Sequence, residues 1–246
     1  MLLWFRTWRR TRLVARYERE FGNLYEFHGI KVEIPTEISV DLKNALIKNK
    51  YESQERGFIE AHLPQDCDVI ELGGSIGVVS AYTRARMGPT ARQIVVEALS
   101  DLATVCRANI AKQDPNNLST VVQAAVSYSD AKTVRFMVGD NPHVGRIGEG
   151  EGVAVDVPVV QLETLCADHK IDQFALICDI EGGEVELFDR SSIWKTACPL
   201  IILETHPNFY EGGVATQSEL VAKIIAAGFT QLGESGGVYA FGKLLS

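Results

Sequence analysis

Cysteine is scarce and poorly placed for any framework. The five cysteines, at 67, 106, 166, 178 and 198, are odd in number, scattered and never spaced Cys-x-x-Cys. That pattern excludes a disulfide scaffold and a thiolate zinc site, and it predicts reduced thiols in a cytoplasmic protein. Long apolar runs are missing as well: none reaches the ~20 residues that a bilayer crossing needs. Basic residues are a minority, 24 Lys and Arg against 32 Asp and Glu, for a net charge of −8. Such a balance argues against general nucleic-acid binding. There is no internal repeat, no low-complexity linker and no G-x-x-x-x-G-K-[ST] phosphate loop. What is present is a hydrophobic fraction of 46% over 246 residues, ample for one large core.

The few basic residues are unevenly spread. Residues 1–20 hold six arginines (6, 9, 10, 12, 16 and 19) against Glu18 and Glu20, a local +4 that leaves −12 for the rest. Leu2, Leu3, Trp4, Phe5, Trp8, Leu13, Val14 and Tyr17 interleave with them, which predicts a basic amphipathic helix. Arg6 cuts the apolar run too early for a secretory leader. Two readings stand: a helix lying on the inner face of an anionic membrane, or one packed on its own acidic domain.

From Asp68 onward, short apolar runs alternate with helical patterns, the signature of a parallel sheet covered on both faces. Strands are expected at 68–72, 93–97, 119–126, 174–180, 199–204 and 238–243. Helices are expected at 76–87, 99–112, 160–169, from about 183, and at 218–227. The rhythm breaks at 133–138 and 153–160, which read as antiparallel strands flanking a Gly-rich loop, 139–152. The chain therefore divides into an N-terminal extension, residues 1–50, and one α/β domain, residues 51–246.

"ELGGSIG" (71–77) puts Gly73 and Gly77 where a strand turns into a helix. Glycines there let a ligand approach the backbone and face the helix N-terminus. Glu97 ends the next strand, where a carboxylate commonly accepts both hydroxyls of a ribose. A nucleoside-containing cofactor at the carboxyl edge of the sheet follows. A dinucleotide fingerprint, G-x-G-x-x-G, would place glycines where this chain has Ser75 and Val78. Glu71 stands two residues before Gly73; an acid there repels a pyrophosphate and suits a ligand carrying an ammonium, such as the methionine end of S-adenosylmethionine.

"YESQERGFIEAHLPQDCDVIELGGSIGVVS" (51–80), "IVVEA" (94–98), "DIEGGE" (179–184) and "IILETHP" (201–207) resemble the FkbM-type class I methyltransferases. The resemblance implies a Rossmann-like, mostly parallel seven-stranded sheet with helices on both faces, into which the 133–160 segment is read as a β-hairpin insertion. It implies S-adenosylmethionine as donor and O-methylation of a hydroxyl on a sugar, glycan precursor or glycosylated natural product. It carries Gly73, Ser75, Gly77, Glu97 and Ala98 over as cofactor residues, with Tyr51, Glu52 and Glu55 from the segment before the first strand. Asp179, Glu181, Gly182 and Glu184 match its acidic motif. Ser75, Ala98 and Ile177 depart from the family's usual asparagine, proline and lysine.

Three carboxylates in "DIEGGE" repel one another unless their charge has a use. A sugar hydroxyl is a poor nucleophile, so a carboxylate or histidine must take its proton as it attacks. Asp179, at the mouth of a core strand, is expected to touch donor or acceptor. Glu181 is either the base or a partner for backbone N–H groups in its turn. Glu184 is expected to begin a helix, where its charge meets the positive end of the dipole. His206 is an alternative base, and Glu204 would line the same edge. His143 and Arg146, in the 139–152 loop, would hang over the acceptor. A magnesium or manganese ion would need Asp179, Glu181 and Glu204 or His206 to converge; nothing in their spacing fixes a coordination sphere, so no metal ligand is assigned. Two rivals remain: a nicotinamide-dependent oxidoreductase, and a non-catalytic protein that keeps the pocket and uses residues 1–20 to hold a membrane or partner.

Overall fold

The computed structural model describes residues 2–139, 145–147 and 152–243. The chain begins with helix α1 (Leu2–Phe21), a hairpin of β1 (Leu24–Phe27) and β2 (Ile30–Glu33), and helices α2 (Val40–Ile47) and α3 (Ser53–His62). The α/β alternation then runs β3 (Asp68–Leu72), α4 (Val78–Arg86), β4 (Gln93–Glu97), α5 (Ser100–Ala111), β5 (Ser119–Gln123). An insertion follows: β6 (Ala125–Val126), β7 (Thr133–Val138), β8 (Gly145–Ile147) and β9 (Val153–Val160). Alternation resumes with α6 (Leu162–His169), β10 (Phe174–Cys178), α7 (Glu184–Arg190), α8 (Trp194–Ala197), β11 (Leu200–Glu204) and α9 (Val214–Ala226). The antiparallel pair β12 (Thr230–Ser235) and β13 (Val238–Gly242) ends the domain.

The main sheet has seven strands in the order β12-β13-β11-β10-β3-β4-β5, parallel from β11 to β5, with β13 antiparallel to both neighbours. Its central strands are continuous apolar runs because both faces are covered. Ile70, Leu72, Leu176, Cys178, Ile201 and Leu203 point into one core with Phe188, Trp194 and Phe229. Their alternates Val69, Ala175, Ile177 and Ile202 point into another with Tyr25, Phe27 and Tyr82. Residues read as an extension thus cover one face of the sheet through β1 and β2. Helix α1 packs on the chain's own domain: Val14 is buried, Arg10 pairs with Asp41 at 2.7 Å and Lys43 with Glu18 at 2.7 Å.

Three departures from the sequence reading have physical causes. The strand expected over 119–126 breaks at Ala124, whose N–H bonds to the Glu97 carbonyl; β6 leaves the main sheet to pair with β9. The strand expected to run to Ile180 stops at Cys178, because residues 179–183 turn, with Glu181 at φ 51° and Gly182 at φ 105°. Strand β12 was not expected, since "TQLGES" is a polar edge strand with one partner and little burial. The antiparallel pairing of β7 with β9, Thr133 opposite Pro158 through Val138 opposite Val153, is as the sequence predicts. Chain direction across the sheet reverses between β3 and β10: β4 lies on one side of β3 and β10 on the other. A crevice opens outside the carboxyl ends at such a switch point.

Candidate active site

One half of that crevice is built by the turn after β3. Gly73, at φ 97°, donates its N–H to the Val96 carbonyl at 2.9 Å. A Cβ there would run into the Asp179 carbonyl oxygen. Gly77, at φ 75°, precedes α4, and a Cβ on it would stand 2.6 Å from Cys106 Cα of α5. Both glycines are therefore demanded first by close backbone packing. Gly73 still lines the crevice, with Ser75, Glu97 and Ala98; Gly77 is turned into the α4–α5 contact. The Glu97 carboxylate accepts Ser75 N–H at 2.7 Å and Leu99 N–H at 2.9 Å. Burial raises its pKa, against the pull of those backbone donors.

Glu71 corrects the sequence reading. Strand alternation turns it away from the crevice, where Ser80 Oγ donates to it at 2.5 Å and Gln93 Nε2 at 3.3 Å. Burial pushes its pKa up to about 7, against those two hydrogen bonds. Its position two residues before Gly73 does not bring it to a ligand's ammonium.

The other half gathers acids from three segments. Asp179 and Glu181 follow β10, Glu204 ends β11 and His206 follows it, and Glu52 precedes α3. His206 Nε2 lies 3.4 Å from Asp179 Oδ1, 3.5 Å from Glu181 Oε2 and 4.0 Å from Glu204 Oε1. Its Nδ1 is 2.7 Å from Glu184 Oε1. Glu184 is fully buried and also accepts Ile180 N–H at 3.3 Å, Gly182 N–H at 3.0 Å and the Tyr210 hydroxyl at 3.1 Å. A carboxylate so surrounded accepts a proton-bearing Nδ1, which fixes the ring and points Nε2 at the acids. Gly182 leaves room for Phe209, whose Cβ would stand 2.9 Å from an added Cβ.

The electrostatics follow from this crowding. Burial, then Glu204, Glu55, Glu181 and Glu52, holds the Asp179 carboxyl well above its ordinary range. Burial raises Glu181 and Glu204 as well, with His206 opposing. Glu52 is pushed up to about 7 by burial, Glu204 and Glu181. Burial lowers the His206 imidazole, but Glu184, Glu181 and Glu204 outweigh it and the net shift is upward. Glu52, Ser75 and Glu181 all hold left-handed backbone at φ 39°, 45° and 51°. Each costs on the order of 1 kcal/mol, and strain of this kind clusters where a site is pre-formed.

The halves meet in one cleft of about 630 Å³, open mouth included, that both Glu97 and Asp179 line. Tyr51 and Glu55, expected at the donor, stand beside the acids: burial and Glu52, with Asp179 and Glu204, raise Tyr51, while burial, Glu52, Glu71 and Glu204 raise Glu55. Arg146 lies 4.8 Å over the Phe209 ring, next to His206, whose ring stacks on Phe209 at 6.1 Å. His143 lies outside the described residues. Sequence reasoning missed Phe136 and Ile147, which roof the cleft from the inserted hairpin, and Tyr210, whose hydroxyl accepts His206 N–H at 2.9 Å. It also gave Glu184 a helix-start role alone, because His206 lies 22 residues away in sequence.

The family model described as "Methyltransferase FkbM domain" matches residues 68–231. No curated protein matches the chain. Among solved structures, an O-methyltransferase from Bacillus cereus in complex with SAH is 14% identical, with 78% of this chain and 81% of that one covered and a TM-score of 0.46. The human methyltransferase 10 domain containing protein is 14% identical over 96% of this chain and 95% of that one, with a TM-score of 0.48. The family match covers both halves of the cleft, from β3 through α9, and displaces the nicotinamide reading. The chain belongs to the FkbM family of S-adenosylmethionine-dependent methyltransferases.

Proposed function

We propose that the protein methylates a hydroxyl oxygen of a small-molecule acceptor, in particular of a sugar, a glycan precursor or a glycosylated natural product. The observation that carries this reading is the single cleft lined at one end by Glu97 and at the other by Asp179 and Glu181. The residues present fit the donor. Gly73 and Ser75 give a narrow backbone shelf, Glu97 keeps lone pairs for ribose hydroxyls, and the walls of Ala98, Leu99 and Val126 suit an adenine. Asp179 Oδ1 is sealed from solvent without a hydrogen-bond donor, an arrangement that favours a cationic neighbour. When bound, the donor supplies a methyl group on a positively charged sulfur.

The chain's own residues do the rest. Asp179, Glu181 and His206 stand together as candidate acceptors of the hydroxyl proton, and burial with neighbouring acids raises both carboxyls above their ordinary range, the direction a general base needs. Asp179, Glu181 or His206 would take the hydroxyl proton as the bound donor's methyl group passes to the acceptor oxygen. Alignment of the three reacting atoms supplies much of the rate. Phe136 and Ile147 exclude water from the cleft, and Arg146 stands at the rim to meet a polar acceptor.

Among the described residues no helix is long and apolar enough to cross a membrane. The exposed face of α1 presents Arg9, Arg12, Arg16 and Arg19, which suits peripheral contact with an anionic surface. The test of the function is calorimetric titration with S-adenosylmethionine, followed by mass analysis of sugars and glycosylated compounds incubated with enzyme and donor. Saturable donor binding and a one-methyl mass gain on a hydroxyl are expected. Methyl gain on nitrogen or carbon alone would overturn the oxygen assignment.

A further inference from the structure

The acidic half of the cleft holds more negative charge than its one imidazole offsets, and its donor atoms converge. We propose that Asp179, Glu181 and His206 bind a divalent first-row metal ion; its role toward the acceptor rests on the methyltransferase reading, its binding does not.

Geometry is the first support. The His206 Nε2, Asp179 and Glu181 oxygens all lie within 4.8 Å of one another, and Nε2 stands 3.4 Å and 3.5 Å from the two oxygens. Ligands ~2.1 Å from a metal are separated by about 3.0 Å at right angles and about 3.4 Å at tetrahedral angles. Little movement is needed to close this set on an ion.

Asp179 Oδ1 is the independent support. It is sealed from solvent and receives no hydrogen bond, yet it faces Nε2. A buried carboxylate oxygen without a donor is costly unless a cation lies beside it. Among the described residues no lysine or arginine forms an ion pair with Asp179, Glu181 or Glu204.

The surroundings of His206 fit the same assignment. Glu184 lies 2.7 Å from Nδ1 and can accept its N–H; in the neutral ring so held, the Nε2 lone pair turns toward two carboxylate oxygens. Lone pairs facing lone pairs call for a cation between them. A carboxylate behind a histidine is the usual way a metal ligand is oriented and made more basic. Glu204, 4.0 Å from Nε2, is placed to join or border the ion. One imidazole and two or three carboxylates suit Mn²⁺ or Fe²⁺ better than a thiol-seeking metal. Three protein ligands leave positions for acceptor oxygens, and a metal-bound hydroxyl loses its proton more easily.

The rival occupant of the gap is a proton on Nε2, which would make His206 an imidazolium paired with the acids. The deciding experiment titrates the full-length, chelator-treated protein with MnCl₂ and follows free Mn²⁺ by electron paramagnetic resonance. One equivalent should bind, and Glu181→Gln and His206→Gln should each weaken it about tenfold or more. Glu184→Gln, which loosens the His206 ring and the 180–182 turn without removing a ligand, should weaken it roughly 10- to 100-fold. Circular dichroism reports whether each variant folds, and Glu181→Gln, the least buried change, keeps the test open if His206→Gln does not. Wild-type protein that binds no Mn²⁺, or binds it as well after Glu181→Gln, overturns the proposal. Calorimetry with S-adenosylmethionine separates the two claims. Donor binding without Mn²⁺ binding leaves the donor site and removes the metal; Mn²⁺ binding without donor binding does the reverse.

Discussion

Glu71, a buried acid, and Asp179, a partly exposed one, stand at the carboxyl edge of adjacent strands, and they are treated in opposite ways. Glu71 is given two donors, Ser80 and Gln93, and no carboxylate within hydrogen-bonding reach. Asp179 is given a sealed oxygen with no hydrogen-bond donor, and its neighbours are other acids and one imidazole. The first arrangement is what a stable interior needs. The second costs stability and is retained where charge will be met by something outside the chain. The difference separates a structural acid from a functional one more surely than proximity to a motif does.

The largest expected effect tests the functional side of that comparison. Asp179→Asn should lower kcat by about 10²- to 10⁴-fold, the range of a lost general base or its equivalent. It should leave the thermal midpoint unchanged or raised, because a repelling charge is gone. Turnover near wild type, or a large loss of stability, would move Asp179 to the structural class with Glu71.

The next effect concerns the turn that joins them. Gly73→Ala places a side chain against the Asp179 carbonyl at a backbone angle of φ 97°, and should cost about 2–4 kcal/mol. Denaturant unfolding of the ligand-free protein reads it. Intact stability with weakened donor binding would mean instead that the glycine serves only to admit the ligand.

Much of this was legible in sequence, and what escaped did so for definite reasons. The central strands announced themselves because a parallel strand buried on both faces is a continuous apolar run. "ELGGSIG", Glu97 and "DIEGGE" fell at strand ends, where a crevice was expected. Glu71 was misread because its spacing from Gly73 says nothing about which face of β3 it leaves; its alternation with Ile70 and Leu72 would have said so. The link from Glu184 to His206 was invisible, since it joins α7 and the loop after β11 across 22 residues of chain. Strand β12 is an edge strand and carries little of the apolar signal that marked the others.

The smallest effect sharpens the structural side. The Glu71 pKa is raised to about 7 in the fold, so the folded chain keeps a proton there that the unfolded chain loses near pH 4.5. Between those values the folded state binds more protons, and stability must fall as pH rises. The loss is complete above the folded pKa and is on the order of 3 kcal/mol at most. Glu71→Gln removes the ionisation while an amide still meets Ser80 and Gln93. Its unfolding free energy should therefore decline less than that of wild type between pH 4.5 and 7, and should exceed it at pH 8. The other crowded carboxylates slope the same way in both proteins, so the difference between the two curves isolates Glu71. Parallel curves would mean that Glu71 is ionised in the fold, and that two neutral donors suffice to hold a buried charge.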